Sequence, residues 1–357
     1  MELDPKIFGT RLKHARKMNG ISLQQLSDSL ENKITKQSIS KYEMGLMKPS
    51  VTLLFEISKA LSVKPDYFLK QGILNVGQIS FRKKTSLLKT DEESIVEKAR
   101  DYVERNLELE NLLGIQKPFQ NPLEGVLITS KEDVRKAAEK LREAWQLGQG
   151  PISNLVEMLE LKGVKVQLIL DSDSFDGLAA LGNDKVPIVV INTANRSIER
   201  VRFTIIHELA HLLLLLDESI KGQNKSIEEH CHYFSSCFLL PQQSLIEGIG
   251  GNKRSYISIN ELIKVKEQFG ISIRAIVHRL RSVEIINSTY YQKWMVYMSK
   301  TYGPKHEPGN FNGNEVNESF DILIYRAISE GIISFSKAAS IANRSIEEIR
   351  EGYLSVE

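Results

Sequence analysis

Cysteine is almost missing from the chain: Cys231 and Cys237 are the two present in 357 residues. Both fall in a stretch of helical pattern, and at that spacing their side chains point away from each other. A disulfide framework is excluded, and a reducing cytoplasm is the expected setting. Long apolar runs are missing as well. Phe203 to Leu216 comes closest and is broken by His207, Glu208 and His211, short of the roughly 18 residues that a spanning helix needs. The opening residues start acidic and lack an apolar signal core, which again points to the cytoplasm and away from a membrane. An excess of one charge is missing too. The 47 Lys and Arg face 45 Asp and Glu, a net of +2, so any contact with nucleic acid must be local. No internal repeat and no low-complexity tract occurs. What is present is ordinary, with 41% hydrophobic and 26% charged residues, as in globular proteins. The length suggests two to three domains.

Residues 6–70 read as short helices separated by turn signals, with a basic balance. Ile7 to Met18 is amphipathic. Ser22 then stands as an N-cap before Leu23 to Leu30, with Gln25 as its capping-box partner. Thr35 is the N-cap of the next helix, Ile39 and Tyr42 face inward, and Gly45 can end that helix in a left-handed conformation. Its outer face carries Lys36, Gln37, Ser38, Ser40 and Lys41, side chains suited to base edges and phosphates. This order of elements is a helix-turn-helix with its second helix aimed at a major groove of duplex DNA.

Residues 71–90, with Arg82, Lys83 and Lys84, read as a linker or crossing segment. Residues 91–112 carry Ile95, Ala99, Val103 and Leu107 at helical spacing. The pattern around Gln116 to Pro122 is a break. Helices follow at 131–146 and 154–161. Then Val164 to Leu170, Phe175 to Leu181 and Lys185 to Asn192 read as strands, and helical periodicity returns from residue 200. The expected architecture is multidomain: an all-α helix-turn-helix module, an α+β domain and a helical C-terminal region. Boundaries are drawn at 1–71, 72–125 (a linker with an amphipathic helix), 126–300 and 301–357.

The strongest local motif is His207-Glu208-Leu209-Ala210-His211. Two histidines four apart on a helix leave the same face one turn apart. That suits two corners of a tetrahedral metal site, and Glu208 beside them suits a base acting on water. The flanking positions are apolar, so the polar triplet faces a buried site, where such groups are costly without compensation. Downstream, SIEEHCHYFSSCFLLP forms a second helical pattern stopped by Pro241. Glu228, Cys231, His232 and Ser235 share one face of it. Glu228 is the favoured third ligand and His232 its rival on that face. Glu229 reads as solvated, His230 lies further round, and Cys231 reads as part of a packing seam.

Two resemblances follow from these residues. Leu12, Arg16, Gly20, Ser22, Leu26, Ile39, Tyr42, Glu43, Gly45 and Pro49 make residues 7–70 similar to the lambda-repressor-like, XRE family of DNA-binding domains. The segment RFTIIHELAH together with the second helix resembles the ImmA/IrrE family of metallopeptidases. That resemblance implies a zincin-like domain over about 126–300, with His207, His211 and Glu228 as metal ligands and Glu208 as the catalytic glutamate. Asp176-Gly177-Leu178 resembles a strand that precedes the motif helix. Cys231 and His232 stand where the family usually has Ala-Asn. One divalent ion is implied, zinc by default and manganese acceptable.

The expected function is a DNA-binding regulator fused to a metal-dependent endopeptidase. Family resemblance makes a repressor-type protein its substrate and a change in transcription the result; the chain's own 71–90 segment is the other candidate. A homodimer stays open. The alternative class is a DNA-binding regulator or antitoxin-like protein whose peptidase-like domain senses a ligand or partner without proteolysis. In the tail, the helices around Asn343-Arg344-Ser345 look like a second helix-turn-helix by shape. The last one is too acidic for a groove, so a packing role is expected. His306 reads as a surface residue.

Overall fold

The computed structural model describes residues 3–83, 88–115, 118–171, 175–183, 185–303 and 306–354, with the backbone course alone for 78–83. Lys84 and Gln116 therefore lie outside the described residues.

The front module consists of α1 (Pro5–Met18), α2 (Leu23–Ser29), α3 (Lys36–Glu43) and α4 (Val51–Ala60), followed by a 3-10 turn at Pro65–Leu69. The Ser22 hydroxyl accepts the Gln25 amide at 3.2 Å, and the Gln25 side chain accepts the Ser22 amide at 2.8 Å, which closes the capping box. Thr35 caps α3 by accepting the Ser38 amide at 3.2 Å. Phe8, Leu12, Leu26, Ile39, Ile57 and Phe68 fill the core. Gly9 lets α1 lie against the end of α3, because a Cβ there would collide with the Tyr42 and Glu43 carbonyl oxygens. Gly45 adopts φ +71°, a conformation that favours glycine. Arg16 clamps the same crossing through Glu43 at 2.6 and 3.1 Å.

Six strands occur among the described residues: β1 (Val76–Lys83), β2 (Leu127–Ile128), β3 (Lys165–Ile169), β4 (Phe175–Gly182), β5 (Val186–Asn192) and β6 (Leu215–Leu216). Four make one sheet in the order β1-β4-β5-β3, with β3 and β5 parallel and the other pairs antiparallel. β2 and β6 form a short parallel pair. Within residues 71–90, read as a linker or crossing segment, Val76–Lys83 is an edge strand of the main sheet, so that part is no free linker. Helix α5 (Lys89–Leu112) covers one face of that sheet, where Ile95, Ala99 and Val103 meet Ile188 and Val190. Val189 and Ile191 belong to the core on the other face. Burial on both faces explains why β5 reads as an unbroken apolar run.

That second face carries α6 (Lys131–Ala144), α7 (Leu155–Leu161), α8 (Ile198–Leu213), α9 (Glu218–Lys221) and α10 (Asn224–Leu239). Then come α11 (Gln242–Ile249), α12 (Ile259–Phe269), α13 (Ile273–Ser282) and α14 (Ser288–Tyr302). Gly270, at φ +61°, ends α12 and separates it from α13. The C-terminal unit is α15 (Ser319–Ser329), α16 (Phe335–Ala342) and α17 (Ile346–Leu354). It docks on α5 through Lys337–Glu108 at 2.6 Å, and on the front module through Ser340–Asp66 and Asn343–Ser62, both at 3.1 Å. No helix among the described residues is long and apolar enough to cross a membrane.

Candidate metal centre

Three devices hold α8 in place. Ser197 caps its first turn. Asp176 on β4 accepts from Arg196 at 2.9 and 3.0 Å and from Arg200 at 2.9 Å, tying the strand to the start of the helix. Arg202 is fully buried. It pairs with Glu315 and donates to the carbonyl oxygens of Ile152 at 2.7 Å and Gly270 at 3.2 Å. Its guanidinium also lies 4.5 Å from the centre of the Phe311 ring. Glu315 in turn accepts the Leu155 and Val156 amides at 2.8 and 3.1 Å. The segment after residue 300 therefore anchors the motif helix, and buried contacts cross the boundary drawn there. No feature of the sequence near Glu315 announced this role.

His207 and His211 direct their Nε2 atoms to one point, 3.2 Å apart. Glu228, reaching over from α10, places its two oxygens 3.2 Å from His207 Nε2 and 3.3 Å from His211 Nε2. Donors at the corners of a tetrahedral site with bonds of 2.0–2.1 Å stand about 3.3 Å apart. The two Nε2 atoms and the Glu228 carboxylate therefore fit three ligands of one small divalent ion, an appropriate donor set of two imidazoles and one carboxylate. Hydrogen bonds from His207 and His211 hold the Glu228 carboxyl well below the usual carboxylate range, so this corner is anionic.

Close packing of α10 on α8 makes this reach possible. Cys231 and Ser235 are buried at the seam, and Cys231 Sγ lies 3.6 Å from His211 Nδ1, behind that imidazole. Burial pushes the Cys231 thiol up, as the nearby Glu228 and Glu208 also do, so it stays protonated there. His232 also reaches the site: His207, Glu228 and His232 present ligand atoms within 4.8 Å of one another. Glu229 is exposed, and His230 turns away to the Ser226 carbonyl at 2.7 Å. Tyr233 points to Arg279, 3.3 Å away.

Glu208 is fully buried on the side of α8 that faces β4. Gly177 on that strand makes the room. A Cβ there would come within 2.9 Å of Glu208 Cγ, 3.0 Å of Ile191 and 3.1 Å of Thr204. The glycine thus sets how closely the strand approaches the glutamate.

In the front module, Lys36, Gln37 and Lys41 are exposed on α3, as a groove-reading face requires. Ser38 and Ser40 are half-buried, and the Ser38 hydroxyl already meets the Thr35 hydroxyl at 3.2 Å. Its chemistry belongs partly to the cap. His306 is exposed, remote from the centre in sequence and outside its contacts.

Residues 12–68 match the family model described as Helix-turn-helix, and residues 161–281 match the one described as IrrE N-terminal-like domain. Over 64 residues the chain is 41% identical to the SPbeta prophage-derived uncharacterized HTH-type transcriptional regulator YonR of Bacillus subtilis (strain 168). That alignment covers 18% of this chain and 57% of the relative, so the chain spans little more than half of that protein's length. The chain joins a helix-turn-helix module of the XRE type to a metallopeptidase-like domain of the IrrE/ImmA type in one multidomain polypeptide.

Proposed function

We propose that the chain is a DNA-binding transcriptional regulator whose second domain is a metal-dependent endopeptidase acting on a repressor-type protein. The observation that carries this reading is the convergence of His207, His211 and Glu228 to 3.2–3.3 Å beside the buried Glu208. The working units are residues 1–71 for DNA and 126–300 for hydrolysis, the latter completed by β1 and α5 from 72–125 and braced by 301–357.

A divalent ion, zinc or manganese, supplies Lewis acidity toward a peptide carbonyl and acidifies water. The chain's residues do the rest. His207 and His211 would hold the ion, and Glu228 would offset part of its charge. Glu208 is not needed as a ligand. It takes the proton of the attacking water and delivers it to the leaving amine. Burial keeps its carboxylate oriented, and Gly177 sets its distance from the strand.

On DNA, Lys36 and Gln37 read base edges while Lys41 contacts phosphate. Met44, Leu46, Met47, Val51 and Phe55 leave an apolar surface beside α3, which suits a homodimer on paired half-sites. Tethering at an operator raises the effective concentration of any repressor bound next to it. Cleavage of the chain's own 76–83 stretch is disfavoured, because that strand must first leave β4. A separate cytoplasmic regulator is the better substrate.

The test compares cells carrying wild type and Glu208→Gln by mass spectrometry of regulator fragments. Losing the general base slows hydrolysis by roughly 10²–10⁴-fold while metal content stays unchanged. Fragments that form equally in both strains would leave the domain as a ligand or partner sensor without proteolysis.

A further inference from the structure

His232 lies on α10 one turn beyond Glu228, so both side chains leave one face of that helix. Its ring centre is 4.5 Å from that of His207, with the planes tilted by 37°, and 5.8 Å from that of Phe203. Two triads therefore share His207 and Glu228. His211 completes one at 3.2 and 3.3 Å, and His232 completes the other within 4.8 Å. Ligands of a tetrahedral ion stand about 3.3 Å apart, so His232, within 4.8 Å of the other two, has to move closer to complete the set. A small change of side-chain torsion at a half-exposed helix position supplies that. The neighbouring candidates are engaged elsewhere: His230 with Ser226, Tyr233 with Arg279, and Cys231 behind His211.

We propose that His232 is a fourth protein ligand, which caps the metal at rest and withdraws when a peptide enters. The proposal rests on the metallopeptidase reading above. Sites closed by four protein ligands hold zinc structurally, whereas sites with three leave a position for water. A displaceable histidine lets one centre occupy both states. It makes the peptidase latent without any cleavable pro-segment. Peptides that dock too weakly to displace His232 are not cut, and the chain's selectivity rises accordingly.

The test uses zinc-loaded full-length protein without substrate. X-ray absorption counts imidazoles on the metal, and chelator competition measures affinity, for wild type, His232→Asn and His230→Asn. The expected result is three imidazoles in wild type and two in His232→Asn. Zinc affinity in that variant falls by at least about tenfold, the low end of what losing even an outer partner does. Hydrolysis of a short unselective peptide rises in the same variant, and His230→Asn behaves as wild type. Two imidazoles in wild type overturns the proposal and leaves the metallopeptidase reading standing. Failure of wild type to take up zinc or manganese overturns both.

Discussion

The two working faces of the chain are built in opposite ways. On α3 the side chains proposed to meet DNA, Lys36, Gln37 and Lys41, stand in solvent, and the module beneath them is a small core closed by caps. On α8 the side chains of the proposed metal centre, His207 and Glu208, are themselves part of the interior, with His211 nearly so. An exposed face can be edited without touching the fold, because its side chains bury nothing. A buried site cannot, because each polar group there needs a partner or an ion to offset its desolvation. Function and stability are thus separable in the first domain and coupled in the second.

The largest expected effect comes from Arg202, which supports the site from behind. Arg202→Ala leaves Glu315 buried without its cation, and breaking such a pair costs about 3–5 kcal/mol. Denaturant melts of the full chain should show that loss, with metal content falling alongside it. DNA binding by the front module should survive under conditions where the second domain has melted. Loss of both together would mean that the two regions unfold as one unit. Gly177→Ala comes next. Its methyl group presses on Glu208, Ile191 and Thr204, and overpacking of this kind costs about 1–3 kcal/mol. The distinctive expectation is a variant that keeps its metal and loses hydrolysis, since Glu208 moves and the three ligands do not. Parallel metal analysis and peptide assays check it, and unchanged hydrolysis would show that the strand has room to yield.

The same contrast governs what the sequence disclosed. The α3 face, its caps at Ser22 and Thr35, and the turn at Gly45 depend on neighbours within a few residues, so their pattern was legible. The His-Glu-His spacing was legible for the same reason. β3, β4 and β5 stood out through apolar runs. β1 did not: Val76–Lys83 is an edge strand with Gly77 and Gln78 beside a basic cluster, and that composition matches a linker as well. The partners of Arg202 lie 49 to 113 residues away, and nothing local marks them. The brace formed by residues 306–317 was hidden for this reason. The choice between Glu228 and His232 also depended on the approach of two helices, and both residues came out at the site.

At the seam between the regions, the pH dependence should be modest and of one sign. His14 on α1 is half-buried against α5 and accepts from Arg100 at 3.0 Å. Burial first, then Arg100, Arg11 and Lys17, lowers its pKa from 6.5 to about 3. The docked state therefore disfavours the protonated ring. The undocked ring binds protons from about pH 6.5 downward, so docking is complete above that pH and weakens as pH falls toward 3. Glu97, raised by burial, acts in the opposite sense and blunts the slope. Melts at pH 7 and pH 5 should show a smaller difference for His14→Gln than for wild type. Equal differences would mean that other groups carry the acid sensitivity.

The smallest effect on stability should come from the exposed face, where Lys41 is the sharpest case. Lys41→Ala should leave the melting midpoint unchanged to within about 0.5 kcal/mol, as surface substitutions usually do. DNA affinity should fall by a similar factor for every sequence, and the slope of log affinity against log salt should shrink by about one unit, since one phosphate contact is lost. Gln37→Ala should behave differently, relaxing sequence preference at one position with the salt slope intact. Titration of the full chain with operator and unrelated duplexes at several salt concentrations separates the two outcomes. If Lys41→Ala lowers stability as well as affinity, the front face is coupled to its core after all, and the separation between the two regions fails at that residue.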